Sequence, residues 1–218
     1  MGTQERKERE RKQRRDQILN AAIELIGEQG FESTTMDEIA ERAELSKGTL
    51  YLYYNDKATL HQAIKKRGLK FLHERFLEII QQDLSGAELV KEMMHTFLNL
   101  ITENTTFTKA MMLFENSNEN DTESHQVVED CTHLESELLM LLVRSIQIGK
   151  QDGSILSTIN PKVSAVMIGF QMSGMLQFYF SGSRKQAQKI LDEQQLTMSE
   201  MMDQFLNIQF SSTQDLTS

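Results

Sequence analysis

Lys47, Thr49, Tyr51 and Tyr53 put donors and aromatics within residues 47–53, a run that contains no acid. Such a set suits a polyanion with flat apolar faces better than it suits acid–base chemistry. A second basic group stands upstream, where residues 6–15 hold seven Lys or Arg against two Glu. Phosphate contacts from this run are expected chiefly through Arg11, Arg14 and Arg15. A third group, His125, Glu129 and His133, repeats every four residues and so lies on one helix face, with Cys131 nearby in sequence. A metal- or redox-responsive regulator would use this face, with His95 as a further ligand. Cys131, however, sits about 200° from Glu129 on a helix, and solvated polar residues are the simpler reading. There is no nucleophile motif, phosphate-cradling glycine loop or zinc-finger spacing, so neither an enzyme, a cofactor nor a resident metal is expected.

The elements that must hold the first group are two short helices, 36–43 and 47–54. Thr35 and Glu38 form a capping box for the first, and Ser46 caps the second. Glu44, Leu45 and Ser46 make the turn between them. Leu50 and Tyr54, four apart, face the same way and leave Lys47, Thr49, Tyr51 and Tyr53 for other directions. The arrangement fits a helix-turn-helix that enters a DNA major groove, and it equally fits an ordinary helical hairpin. Upstream, Ile18, Leu19, Ala22, Leu25 and Ile26 give the first helix its apolar stripe, ended by Gly30 as a left-handed residue. Pairs Glu5/Arg9, Glu8/Lys12 and Glu10/Arg14 at i, i+4 predict that this helix extends back through the basic run on DNA.

Downstream the spacing predicts a long fourth helix to about residue 82 and a fifth opened by Ser85 and Glu88. A short sixth spans 107–114, followed by a polar loop over 115–124. A seventh covers 125–151, an eighth is started by Asn160-Pro161, and a last one is capped by Thr197. Residues 163–180 carry no charge over a length that raises a membrane span, but Ser164, Gln171, Ser173, Gly174 and Gln177 favour a buried helix. With one proline, no tryptophan and few β-branched clusters in 218 residues, the fold class is all-α. The net charge of −9 is unevenly spread: residues 1–70 hold 14 basic against 12 acidic side chains, and 71–218 hold 9 against 20. One end is suited to polyanions and the other to solubility. One cysteine and a charged start without an apolar stretch predict a cytoplasmic protein.

The run S-K-G-T-L-Y-L-Y-Y-N-D-K-A-T-L at 46–60 resembles the signature of the tetracycline-repressor (TetR/AcrR) family of bacterial transcription regulators. So does R-x-x-I-L-x-A-A-x-x-L-I-x-x-x-G-F-x-x-T-T at 15–35, and G-K-Q-D-G-S-I at 149–155 resembles the family's second half. Tyr54 stands where the family usually has Phe, and Ala58-Thr59 where two acids are frequent. The resemblance implies a helix-turn-helix DNA-binding domain over 1–70 and a helical effector-binding and dimerisation domain over 71–218, about nine helices in all. Carried over by position, Lys47, Thr49 and Tyr51 reach base edges, Gly48 permits close approach, and Thr35, Tyr53 and Lys57 meet the DNA backbone.

The same resemblance implies a homodimer on a near-palindromic double-stranded operator, released by a small, hydrophobic effector. Such a protein acts as a ligand-responsive repressor. Its dimer face is expected at Met167, Phe170, Ser173, Gly174, Met175, Phe178 and Phe205. Its pocket, between the fourth and eighth helices, is expected among Phe76, Met93, Met94, Phe97, Phe107, Met111, Met112, Phe114, Met140 and Met172. A plain core accounts equally well for any one of these methionines.

Overall fold

The computed structural model of the chain describes residues 2–112, 122–181 and 184–210, with the side chains of residues 3, 122–126 and 187 excepted. Among the described residues the chain is helical and has no strand. The helices are α1 (Thr3–Gln29), α2 (Met36–Arg42), α3 (Lys47–Tyr51), α4 (Lys57–Ile79) and α5 (Gly86–Glu103), then α6 (Thr105–Met112), α7 (Thr122–Asp152), α8 (Pro161–Phe180), α9 (Arg184–Glu193) and α10 (Met198–Phe210). Helix α9 is additional to the expected set. Its charged and glutamine-rich turns keep only a thin apolar edge, of which Leu191 is buried. Helix α7 starts at Thr122, inside the stretch expected as loop, and residues 115–121 of that stretch lie outside the described residues. The helices form two compact units, residues 1–69 with 104–132 and residues 70–103 with 133–218.

In the first unit α2 and α6 pack on α1, and α3 packs on α2. Ile18, Ala22, Ile26, Ile39, Leu50, Leu60 and Ile64 are fully enclosed, each worth roughly 1.5–3 kcal/mol if an aliphatic side chain larger than Ala. The Lys109 ammonium donates to the Gly27 carbonyl at 2.9 Å, fastening α6 to α1. The basic run is helical from Thr3 onward, with an ion pair from Arg6 to Glu10 at 2.8 Å. Gly30 ends α1 with φ +88° and ψ 161°, so its ψ is extended rather than left-handed helical; only glycine takes this conformation without strain. Helix α2 closes differently. Leu45 N–H donates to Ala40 O at 2.8 Å and Glu44 N–H to Glu41 O at 2.9 Å, the double bond of a Schellman motif with Glu44 at φ +54°.

The second unit buries Leu72, Phe76 and Ile79 of α4, the inner face of α5, and Leu142, Val143 and Ile146 of α7. Gly86 and Gly149 bring the backbones of α5 and α7 too close for any side chain at Gly86. The Asp152 carboxylate accepts from the Gly86 and Ser154 amides, both at 2.8 Å. Asp203 of α10 pairs with His95 at 2.7 Å and Lys91 at 3.1 Å, both on α5. Helix α8, uncharged from Val163 onward, is not buried as expected. Within the chain it encloses Ala165 and Ile168 and leaves Val163, Val166, Met167 and Phe170 exposed. By length and composition it is also long and apolar enough to cross a membrane.

His61, one of the few buried polar residues, meets the Phe31 ring edge-on in the first unit. Burial disfavours its imidazolium and pulls its pKa down to about 4. The unfolded chain takes up this proton near pH 6.5, the native chain only near 4, so stability falls as pH drops through that window. The loss is bounded at on the order of 3 kcal/mol. His61→Leu is expected to lose less stability than the parent between about pH 7 and about pH 5, followed by urea midpoints. Equal losses in both proteins contradict this assignment.

Candidate nucleic-acid interface

Helix α3 is five residues long, too short to stand alone, so neighbours must hold it. The Ser46 hydroxyl accepts the Thr49 N–H at 3.2 Å, capping its start, and the enclosed Leu50 pins it to the core. Lys47, Gly48 and Tyr51 remain exposed, and among the described residues nothing lies within 4 Å of where a Cβ on Gly48 would stand. Thr49 is half-buried, its hydroxyl 2.8 Å from that of Ser46, and Tyr53 is half-buried against the core. Tyr54 is buried, which pushes its phenol up to about 12. Sequence reasoning passed over Leu52, which is 80% exposed beside Tyr51 and is an apolar side chain of the kind that can pack on a thymine methyl. Its place in an acid-free run between two tyrosines was the available signal.

An acid does reach this face, from the neighbouring helix. Lys47 Nζ lies 2.6 Å from the Asp37 carboxylate of α2, and that contact raises the lysine's pKa. Thr35 is occupied by its own helix. Its hydroxyl accepts from Glu38 N–H at 3.2 Å and donates to the Glu38 carboxylate at 2.8 Å. The Thr35 hydroxyl and amide, with Gln29, hold that carboxyl below its usual range. The capping box therefore forms as expected.

Lys57 turns inward. Its ammonium donates to the carbonyls of Phe31 at 2.6 Å, Thr34 at 2.9 Å and Glu32 at 3.3 Å, and sits 4.3 Å from the Phe31 ring centre. Three donors meet three acceptors, and the cation also meets a π face. Arg11, Arg14 and Arg15 project from α1 into solvent. Arg14 donates to Gln17 at 3.0 Å, and Gln17 donates to the Ala43 carbonyl at 2.6 Å, so the basic helix is indexed to the end of α2. Arg42 grips Glu28 through both guanidinium nitrogens at 3.0–3.1 Å, a second tie between α2 and α1.

The residues expected around a ligand are divided between the units. Phe107 and Met111 pack on the first unit's core and Met112 is half-buried in that unit. Phe76, Met93, Met94 and Phe97 are close-packed in the second, where Met172 is half-buried and Met140 is exposed. Phe114 lies outside the described residues. Of the expected dimer face, Met167, Phe170, Ser173, Gly174 and Phe205 are exposed, while Met175 and Phe178 line a cavity of about 160 Å³. His133 lies 3.5 Å from Glu137, Cys131 is buried, and the His125 side chain is outside the described set. Among the described residues no group of three His, Cys, Asp or Glu is placed to hold a metal, so the metal reading finds no support.

Residues 18–64 match the family model described as bacterial regulatory proteins, tetR family. A Bacillus subtilis protein, the uncharacterized HTH-type transcriptional regulator YxbF, is 32% identical over 100 residues, 44% of this chain and 26% of that protein. In the curated relatives the matched part spans less than half of each protein. Two solved structures share the fold over nearly the whole chain. FadR from Bacillus subtilis in complex with stearoyl-CoA has a TM-score of 0.69 at 19% identity, covering 89% of this chain and 97% of its own. AibR in complex with isovaleryl coenzyme A and operator DNA has a TM-score of 0.63 at 21% identity, covering 90% and 98%. The capped α2–turn–α3 segment thus lies inside the stretch that matches the tetR family model, and the all-helical fold of the described residues is shared with these two structures.

Proposed function

We propose that the protein is a cytoplasmic, one-component repressor that binds a near-palindromic operator as a homodimer and releases it on binding a hydrophobic effector. The observation that carries this reading is the exposed α3 face, Lys47, Gly48, Tyr51 and Leu52, beside a solvent-exposed basic helix. Lys47, Thr49 and Tyr51 contact base edges. Arg11, Arg14, Arg15 and Tyr53 contact phosphates, and Thr35 presents the N-terminus of α2 to another. Residues 1–70 form the reading head and 71–218 the body that senses and dimerises. Two heads about 34–36 Å apart would read successive half-sites.

The exposed apolar surface of α8 and α10, with Met167, Phe170, Phe205 and Ile208, supports a second copy as the covering partner. The effector is hydrophobic because the body offers apolar and methionine-rich packing; stearoyl-CoA and isovaleryl-CoA, bound by the fold's neighbours, are the natural first probes. Effector and operator each favour a different spacing of the two heads, so each weakens the other by the same factor.

Three measurements test this. With a duplex enriched from a random pool by the parent protein, Lys47→Ala is expected to cost about 1–3 kcal/mol and relax preference at one position, whereas Arg14→Ala weakens all duplexes alike. Identical effects would refute the base assignment. Because Asp37 competes for Lys47, Asp37→Asn is expected to tighten binding by a small factor; weaker binding contradicts the competition. Whichever acyl-CoA probe binds must lower operator affinity by the factor by which operator lowers its own affinity. Unequal factors, or independence, would sink the antagonism.

A further inference from the structure

We propose that the cavity framed by α5, α8 and α10 takes a small amphiphilic anion, its compact hydrocarbon part inside and its charged group against Arg184. The inference rests on the effector-responsive reading above and names a seat and a chemical class for that effector. The walls come from Leu98 and Ile101 of α5, Phe178 and Tyr179 of α8, and Met198 and Met201 of α10. All of these belong to the second unit. The lining is almost wholly apolar, so an ion or amide carried into it would lose its hydrogen bonds to water without replacement.

Size sets a second limit. A cavity of about 160 Å³ is close to the engineered apolar cavity of roughly 150 Å³ known to hold benzene in another protein. The enclosed part of the ligand is therefore a ring or branched chain of about six carbons. A stearoyl chain would not fit without opening the walls, so of the two acyl-CoA probes only the short, branched one suits this seat.

The rim supplies the charge. The Arg184 guanidinium stacks 3.9 Å from the centre of the Tyr179 ring, so a cation is fixed on a residue that also lines the cavity. Arg184 is exposed, and among the described residues no carboxylate pairs with it. Stacking on the ring leaves the edge of the guanidinium able to take a carboxylate or phosphate in a paired fashion. Gly174 keeps a side chain away from the surface there, since a Cβ at that position would meet open space.

The test is methyl NMR on the full chain with labelled methionines, titrated with phenylacetate and hexanoate as anionic probes and benzene as the neutral one. Saturable shifts confined to the Met175, Met198 and Met201 methyls, with Met93 and Met94 unmoved, are expected. Arg184→Gln should weaken the anionic probes roughly fivefold, the scale of one exposed ion pair, and leave benzene unchanged. Shifts at Met93 and Met94, no saturable shift, an equal effect of Arg184→Gln on both probe types, or shifts that follow protein concentration alone because a second copy fills the cavity would each overturn the site. Binding here that leaves operator affinity unchanged would instead overturn the effector reading. Operator release by a probe that moves none of these methyls would remove this site and leave that reading standing.

Discussion

Lys57 holds the reading head together. Its ammonium joins three carbonyls beyond the end of α1, one of them 26 residues away in sequence, and rests on the Phe31 ring. Those carbonyls belong to the connection between α1 and α2, and Lys57 is the first residue of α4. One side chain thus fixes where α2 begins relative to where α4 begins. Helix α3 lies between those two points, and its direction follows from them. A lysine at a helix N-terminus opposes the helix dipole, so the carbonyl oxygens also offset an unfavourable charge placement.

Around this clasp the contacts are local and redundant. The Thr35–Glu38 box sets the first turn of α2, the Schellman bonds set its last, and Ser46 sets the first turn of α3. Gln17 and Arg42 then fix α2 on α1, and Leu50 fixes α3 to the core. The left-handed backbone of Glu44 is the one strained point in the turn, held because both of its flanking hydrogen bonds need it. A head held by this many contacts moves, in the proposed mechanism, as a body. In the proposed mechanism regulation therefore acts on the spacing between two heads rather than on the shape of either, and α4, with residues in both compact units, is the element through which it acts.

What the sequence made legible was much of what is decided within three or four residues, though Gly30 takes an extended ψ and Glu10 pairs with Arg6 instead of Arg14. The capping boxes at Thr35, Ser85 and Thr197, the Ser46 cap and the Asn160-Pro161 start are contacts between near neighbours, and all of them form. The partners of Lys57 were hidden because they are backbone carbonyls, which carry no residue identity. Asp37 escaped because it reaches Lys47 from another helix, so a stretch free of acid in sequence is not free of acid in space. Helix α8 showed the length and apolarity of a core element, but burial depends on what covers a helix, and the described residues leave most of α8 uncovered. The soft residues looked like one population; packing sends Phe107 and Met111 to one unit and Met93 and Phe97 to the other, while the cavity is lined in part by Gly174, Met175 and Phe178, which the family resemblance implied for a dimer face.

In the proposed mechanism Lys57 positions the head and leaves the phosphates to the arginines of α1. This division of roles is tested by the salt dependence of affinity for a selected duplex, compared between the parent protein and Lys57→Met. A lost phosphate contact lowers the slope of log affinity against log salt by about 0.9, whereas a lost positioning contact weakens binding without changing the number of counterions released. A steep slope is expected in both proteins, equal within error, with weaker affinity and poorer sequence preference in the variant. A slope reduced by about one unit with preference intact would put Lys57 on the DNA backbone and contradict the positioning role.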